Sequence, residues 1–359
     1  MIPATTVIEA LEAAFAGTRE RAIPELALAL GEATAQRPAH ITSVKTFKRG
    51  VHRLGMVVDD EPRTLVAKRL GVIQARRNEH VFESWLPAEG LLNACPALLG
   101  RASERRGAFA WHVYEDIGDR SLASDGITDS DIDAVVQLIA RVHGRFARHP
   151  MLGEARSMGG DLGFRFFETN IGDALHGVNA ARKLATSASN TALCDRLIER
   201  LHGWRASMPA RARAFEDHAG PETLLHGDLW RTNAFAADHG ARPCLIDWDH
   251  AGAGPASYDM STFLLRFPHE RRRRILDRYR AAMATEGTSV AGADELNVLF
   301  ETAELSRYAN RLGWLALALL EGNNDWAWEK VEGVEEWFDR LKPVIPGCQP
   351  SPKAEGMPA

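Results

Sequence analysis

The chain has 359 residues, 45% of them hydrophobic and 25% charged, with a formal net charge of −5. That is an ordinary balance for a soluble globular protein, long enough for one large or two moderate domains. The mild negative charge gives no basis for a nucleic-acid or anionic-membrane partner, and the scattered Cys95, Cys194, Cys244 and Cys348, with no C-x-x-C spacing, exclude a zinc or disulfide framework and fit a reducing cytosol.

Residues 1–16 lack the basic start of a signal peptide and carry Glu9 and Glu12, and the apolar run Leu315 to Leu320 is too short to cross a bilayer, so a cytoplasmic protein is expected. Residues 5–32 read as one or two amphipathic helices broken near Pro24, with Ile8, Leu11, Phe15, Leu26, Leu28 and Leu30 as their apolar positions. Strand-like segments follow at 41–47, 51–58 and 64–70, separated by turns at Gly50 and at Asp59-Asp60-Glu61-Pro62. A helix is expected from about Gln74 to Leu86, stopped by Pro87, and two further strands at Leu98-Leu99 and Phe109 to Tyr114. Beyond Asp119 the pattern is helical. Thr128-Asp129-Ser130-Asp131 looks like a capping box, and further helices are expected at 163–185, 190–208, 257–267, 270–285, 293–320 and 325–341. Residues 346–359 are rich in Pro, Gly and Ser and read as a frayed tail.

The chemistry concentrates in His226-Gly-Asp-Leu-Trp-Arg-Thr-Asn233 and in Ile246-Asp247-Trp248-Asp249. An Asp in a Gly-containing loop is often only a turn residue or a helix cap. Here the loop lies between the apolar runs 223–225 and 234–236, and a third run, 243–246, leads into Asp247. Strand, loop, strand, turn, strand and carboxylate is the context that phosphoryl transfer requires. Asp228 is placed as the base for a substrate hydroxyl, and Asn233 and Asp247 offer two oxygen ligands to Mg²⁺.

The pattern H-x-D-x-x-x-x-N followed by a strand ending in Asp is shared with kinases. Gly after the His, and Asp-Trp-Asp in place of Asp-Phe-Gly, resemble the aminoglycoside phosphotransferase and choline kinase-like family, not the eukaryotic protein kinases. His-Gly-Asp-Leu-Trp also resembles the same run in fructosamine kinases. The resemblance implies an α+β, two-lobed protein kinase-like fold: a helical extension over 1–40, a nucleotide-binding lobe with a small antiparallel sheet over 41–118, and a mainly helical lobe over 119–345 with the catalytic loop and substrate-binding helices.

It also implies site roles. Thr64-Leu65-Val66-Ala67-Lys68 resembles the third kinase strand, so Lys68 would reach the nucleotide phosphates, braced by Glu79, with Glu83 as the open alternative on the same helix face. The expected G-x-G-x-x-G turn is replaced by Phe47-Lys48-Arg49-Gly50-Val51-His52-Arg53, whose cations either replace phosphate contacts or are solvated. Backbone groups of Glu115 and Ile117 would hold the adenine edge. His226 would organise the loop, and Asp259 would cap or tether it. The acids Glu301, Glu304, Glu321, Asp325, Glu329, Glu332, Glu335, Glu336 and Asp339, with Trp314, Trp326, Trp328 and Trp337 among them, suggest an amine-bearing acceptor; a solvated helix face is the plainer alternative. The expected activity is transfer of the γ-phosphoryl of ATP or GTP, with Mg²⁺, to a hydroxyl of a small polar molecule. A catalytically silent nucleotide-binding homologue acting through a partner is the alternative.

Overall fold

The structure is a computed structural model that describes residues 4–16, 23–237, 242–322, 325–341 and 343–348; the tail over 349–359 lies outside the described residues. The chain divides into two compact units, Met1–Leu138 with Arg231–Ala251, and Ile139–Trp230 with Gly252–Ala359. The segment that carries Asn233 and Asp247 therefore belongs with the N-terminal sheet, although the His226 loop that precedes it in sequence belongs mostly to the second unit.

The first unit is built on five antiparallel strands, β1 (Ala39–Lys48), β2 (Val51–Val58), β3 (Glu61–Leu70), β4 (Leu98–Ser103) and β5 (Ala110–Glu115), in the order β1-β2-β3-β5-β4. β2 buries every second residue, as a sheet with one covered face demands. Helices α1 (Ala4–Ala14) and α2 (Ile23–Ala33) cover that face: Leu11, Phe15, Leu26 and Leu30 share one core with Leu54, Leu65, Ala67, Trp111 and Val113. Helices α1 and α2 are thus part of the sheet's own core. Gly100 allows this approach, because a Cβ there would sit 2.2 Å from the carbonyl oxygen of Ala29.

The helix expected over 74–86 is α3 (Val72–His80), which continues as a π-turn over Val81–Trp85 and a short α4 (Leu86–Ala88). Helix α5 (Asp129–Arg145) starts with the anticipated reciprocal cap: the Asp131 N–H donates to Thr128 Oγ1, and the Thr128 N–H donates to Asp131 Oδ2. Two short strands, β7 (Ala234–Phe235) and β8 (Cys244–Leu245), pair antiparallel within the first unit.

Among the described residues the second unit is helical apart from β6 (Glu222–Leu225) and β9 (Gly252–Pro255), which pair with each other. Its helices are α6 (Leu152–Gly159), α7 (Phe164–Leu184), α8 (Ala188–Ala206), α9 (Met208–His218), α10 (Ser257–Leu265), α11 (His269–Thr285), α12 (Ala293–Leu320) and α13 (Asp325–Arg340). The main core lies where α7 meets α12, with Phe167, Ile171 and Leu175 against Leu305, Ala309 and Leu312. Gly177 makes the crossing close, since a Cβ there would lie 2.8 Å from that of Ala316. Helices α6 and α9 were not legible in the sequence. The first buries only Leu152 and Ala155 and the second only Arg211, so neither shows an apolar stripe.

Candidate active site

Alternation along β3 sets up the nucleotide half. Leu65 and Ala67 point into the core under α1 and α2, so Val66 and Lys68 face the other way, where they line a cavity of about 410 Å³. Its walls include Val51, Tyr114 and Ile246, and its polar end holds Lys68, Asn233 and Asp247. The Lys68 ammonium donates to Asp247 Oδ1 and, at 2.7 Å, to Asp249 Oδ2. Burial pulls the Lys68 pKa down, but the two carboxylates outweigh it and hold it above the ordinary lysine value.

Asp247 stands in the left-handed region at φ 66° and ψ 50°. Asp is among the few non-glycine residues that tolerate this conformation, and here it turns the chain sharply from β8 into the short helix Trp248–His250. The turn brings Asp249 back onto α3. Its Oδ1 accepts from Asn78 Nδ2 at 2.7 Å, and its backbone carbonyl accepts from Arg77 Nη1.

The acid that faces Lys68 from outside the metal segment's first position is therefore Asp249, and the expected Glu79 pairing is not formed. Glu79 Oε1 lies 3.1 Å from Nε2 of His112, the residue opposite Lys68 in the β3–β5 register. Glu79 thus reaches the same sheet face one strand further over. Glu83, the alternative, sits in the π-turn and pairs with Arg101 at 2.6 Å. Burial lowers the His112 pKa more than Glu79 raises it, which favours the neutral ring.

Arg53 is not a solvated hairpin residue. It bonds Asp116 Oδ1 at 2.9 Å, Asp119 Oδ2 at 2.8 Å and the Gly118 carbonyl at 2.9 Å, and so pins the segment that follows β5. Lys48 is exposed, 3.9 Å from Asp247 Oδ2. Glu115 donates its N–H to the Ala97 carbonyl at 3.0 Å, and both Glu115 and Ile117 line the cavity. Asn233 is nearly buried, and its carbonyl accepts from the Ile246 N–H at 2.9 Å, tying the turn before β7 to the end of β8.

In the second unit, the β6–β9 pairing ends at Leu225 and Gly252 and delivers His226 to a buried corner. Asp259, in the first turn of α10, accepts from the His226 N–H at 2.7 Å and from the Gly227 N–H at 2.9 Å. Gly227 at φ 81° lets two successive amides converge on one carboxylate. His143 Nε2 lies 3.3 Å from Asp259 Oδ2, and its Nδ1 lies 2.9 Å from the Tyr279 hydroxyl. Burial would raise the Asp259 carboxyl, but the His143 bond and the charges of His143, His226 and Arg307 overcome it and keep the group below the usual carboxylate range. The expected tether is present. The Gly227 carbonyl accepts from Arg307 Nη1 at 3.0 Å, and that guanidinium lies 3.6 Å over the Tyr258 ring. The Asp228 N–H donates to His226 Nδ1 at 3.3 Å, and the Trp230 N–H donates to the Asp228 carbonyl at 2.9 Å. Asp228 thus sits half-buried on a loop braced by Asp259, Arg307 and His226.

A family model described as the phosphotransferase enzyme family matches residues 43–296. The chain belongs to that family. It is an enzyme that transfers phosphoryl groups to hydroxyl acceptors. The structure of a Plasmodium vivax ethanolamine kinase is similar, with 12% identity over 84% of this chain and 82% of its own and a TM-score of 0.55. Spectinomycin phosphotransferase APH(9)-Ia, in complex with ADP and spectinomycin, matches at 9% identity over 86% and 90%, with a TM-score of 0.53. Macrolide 2′-phosphotransferase MphH from Brachybacterium faecium matches at 14% identity over 85% and 97%, with a TM-score of 0.52. At these identities the likeness is one of fold, and it agrees with the α+β, protein kinase-like class expected for the family. No curated protein matches the chain.

The acids behind the expectation of an amine-bearing acceptor are committed elsewhere. Glu301 accepts from Asn297, and Glu304 from Ser261 and Thr262. Glu335 and Asp339 pair with Arg196 and Arg200 of α8, Glu336 with Arg340, and Glu329 with Lys330. The side chain of Asp325 lies outside the described residues. Two of the acids read from α12 and α13, Glu335 and Asp339, are thus answered by cations from a helix remote in sequence. Asn78 and Arg77 were also not anticipated as site residues; only their bonds to the metal segment reveal them.

Proposed function

We propose that the enzyme transfers the γ-phosphoryl of ATP or GTP to a hydroxyl of a small polar molecule. The observation that carries this is the cavity in which apolar walls from β2, β3 and β5 end at Lys68, Asn233 and Asp247, a shape and polarity suited to a nucleotide with its phosphates at the charged end.

Asn233 and Asp247 would hold Mg²⁺. An amide and a carboxylate oxygen are the hard donors this ion takes, and it usually binds through one or two protein groups together with phosphate oxygens. When bound, the ion supplies charge neutralisation at the β- and γ-phosphates. Lys68 carries a fixed positive charge to the same place and is held there by Asp249, which Asn78 orients. The Glu115 carbonyl and the Ile117 amide hold the base edge, and Glu79 supports the strand face through His112.

Asp228 accepts or orients the proton of the acceptor hydroxyl. It is placed for that by its loop, whose two amides end on Asp259 and whose Gly227 carbonyl ends on Arg307. His226 is spent on the loop, since its Nδ1 accepts from the Asp228 amide. A screen of ADP release against pooled hydroxyl compounds, with and without Mg²⁺, tests the reading. Mg²⁺-dependent release stimulated by at least one pool is expected; no nucleotide binding and no stimulation by any pool would refute it.

A further inference from the structure

The turn between β1 and β2 is too short to wrap phosphates with its backbone. Strand β1 ends at Lys48 and β2 begins at Val51, so only Arg49 and Gly50 lie between them. Gly50 turns at φ 74°, and its carbonyl accepts from the Arg69 N–H at 2.7 Å, which fixes the turn to β3. A glycine-rich loop covers a phosphate chain with a run of backbone amides. A two-residue hairpin turn has no such run to offer.

A side chain is brought to that place instead. Thr46 pairs with His52, whose ring packs against Phe15 on the covered face of the sheet. Strict alternation would return Lys48 to that same face. The register shifts between Thr46 and Lys48, however, so that Phe47 is one residue extra and Lys48 pairs with Val51. Val51 in turn pairs with Lys68. Directly paired residues share a face, so the shift moves Lys48 to the side of Lys68, and Phe47, Lys48 and Val51 all line the nucleotide cavity. Re-aiming a side chain beside a site is a common use of an extra residue in a strand.

Lys48 and Lys68 flank Asp247. Lys68 donates to Oδ1, whereas the Lys48 ammonium lies 3.9 Å from Oδ2, beyond hydrogen-bond reach, on a side chain that is 67% exposed. Lys68 is shared between Asp247 and Asp249, so these three groups together carry a formal negative charge. Arg53, which also lines the cavity, is bound to Asp116 and Asp119. A phosphate chain brought to Asp247 therefore comes within range of one further ammonium, on a flexible four-carbon stem that can follow it.

We propose that Lys48 holds the outer phosphates of the nucleotide, its ammonium replacing the backbone cradle that the short turn lacks. The proposal rests on the reading that the cavity takes ATP or GTP with its phosphates at Lys68, Asn233 and Asp247.

The test is calorimetric titration of ATP, ADP and AMP in the presence of Mg²⁺, or of the guanine series if GTP binds more tightly. It compares the wild type with Lys48→Gln, Lys48→Arg and Arg49→Gln, the last an exposed neighbour in the same turn. Lys48→Gln should weaken the triphosphate about 3- to 30-fold, a charge-assisted bond discounted for exposure, and the monophosphate less than about twofold. The diphosphate should fall between. Lys48→Arg should recover most of the lost affinity, Arg49→Gln should match the wild type, and the loss in Lys48→Gln should shrink as salt rises. Triphosphate binding by Lys48→Gln within about twofold of wild type, an equal loss for triphosphate and monophosphate, or an equal loss in Arg49→Gln would overturn the proposal. A wild-type enzyme that binds neither Mg·ATP nor Mg·GTP would instead remove the reading beneath it.

Discussion

Asp259→Asn isolates the tether of the catalytic loop. The wild-type carboxylate is fully buried and receives the amides of His226 and Gly227 together with His143. Asparagine keeps the shape and one accepting oxygen, but turns an NH₂ toward a second N–H donor. One bond is lost and one buried amide is left without a partner, at a cost of about 1–3 kcal/mol. Loss of the charge opposite His143 adds to this, and removal of one partner from a buried pair costs about 3–5 kcal/mol in the extreme case. A total of roughly 2–4 kcal/mol is expected by urea unfolding at pH 7. The effect should depend on pH. The folded-state pKa of Asp259 lies below its unfolded value, so its contribution is complete above the unfolded pKa and is lost as pH falls through the folded one. The gap between wild type and mutant should therefore narrow in acid. Because the carboxylate sets the position of Asp228, kcat should fall about 10- to 100-fold, the scale of a misplacement near 1 Å, while ATP affinity holds. A mutant within about 0.5 kcal/mol of wild type, with unchanged kcat, would refute the tether.

Asp247→Ala should abolish the Mg²⁺-dependent part of ATP binding, and Asn233→Ala should weaken it less, because a neutral amide contributes less than a carboxylate; calorimetric titrations with and without Mg²⁺ check both. Asp249→Ala should raise KM for ATP by about tenfold, the loss of one charge-assisted bond, whereas Glu79→Ala should change it only a few-fold. The reverse order would restore Glu79 as the partner of Lys68. Gly227→Ala forces a Cβ into φ 81° and should destabilise the enzyme by about 1–2 kcal/mol in thermal unfolding.

The sequence was most informative where chemistry and local pattern coincide. Asp228, Asn233 and Asp247 stand out because few other roles need those groups at that spacing between apolar runs. Lys68 comes from the resemblance of Thr64–Lys68 to the third kinase strand, and the alternation along β3 puts Leu65 and Ala67 inside and Val66 and Lys68 on the other face. Long amphipathic helices such as α12 were legible nearly to the residue, whereas α6 and α9 bury too little to leave a stripe. Partner choice was not legible. Asp249 reaches Lys68 only because Asp247 adopts a left-handed turn, and Glu79 lands on His112 because of how α3 lies over the β3–β5 pair. The pairing of acids in α13 was illegible for a related reason: Arg196 and Arg200, which pair with Glu335 and Asp339, are more than a hundred residues away in the chain.

Transfer of label from [γ-³²P]ATP to an acceptor, measured side by side for wild type and Asp228→Asn, tests the central claim most directly. The wild type should label an acceptor only with Mg²⁺ present. Asp228→Asn should lose about 10²–10⁴ of that rate, as expected for a positioned base, with ATP affinity within a few-fold. An Asp228→Asn enzyme that labels the acceptor at the wild-type rate would contradict the account.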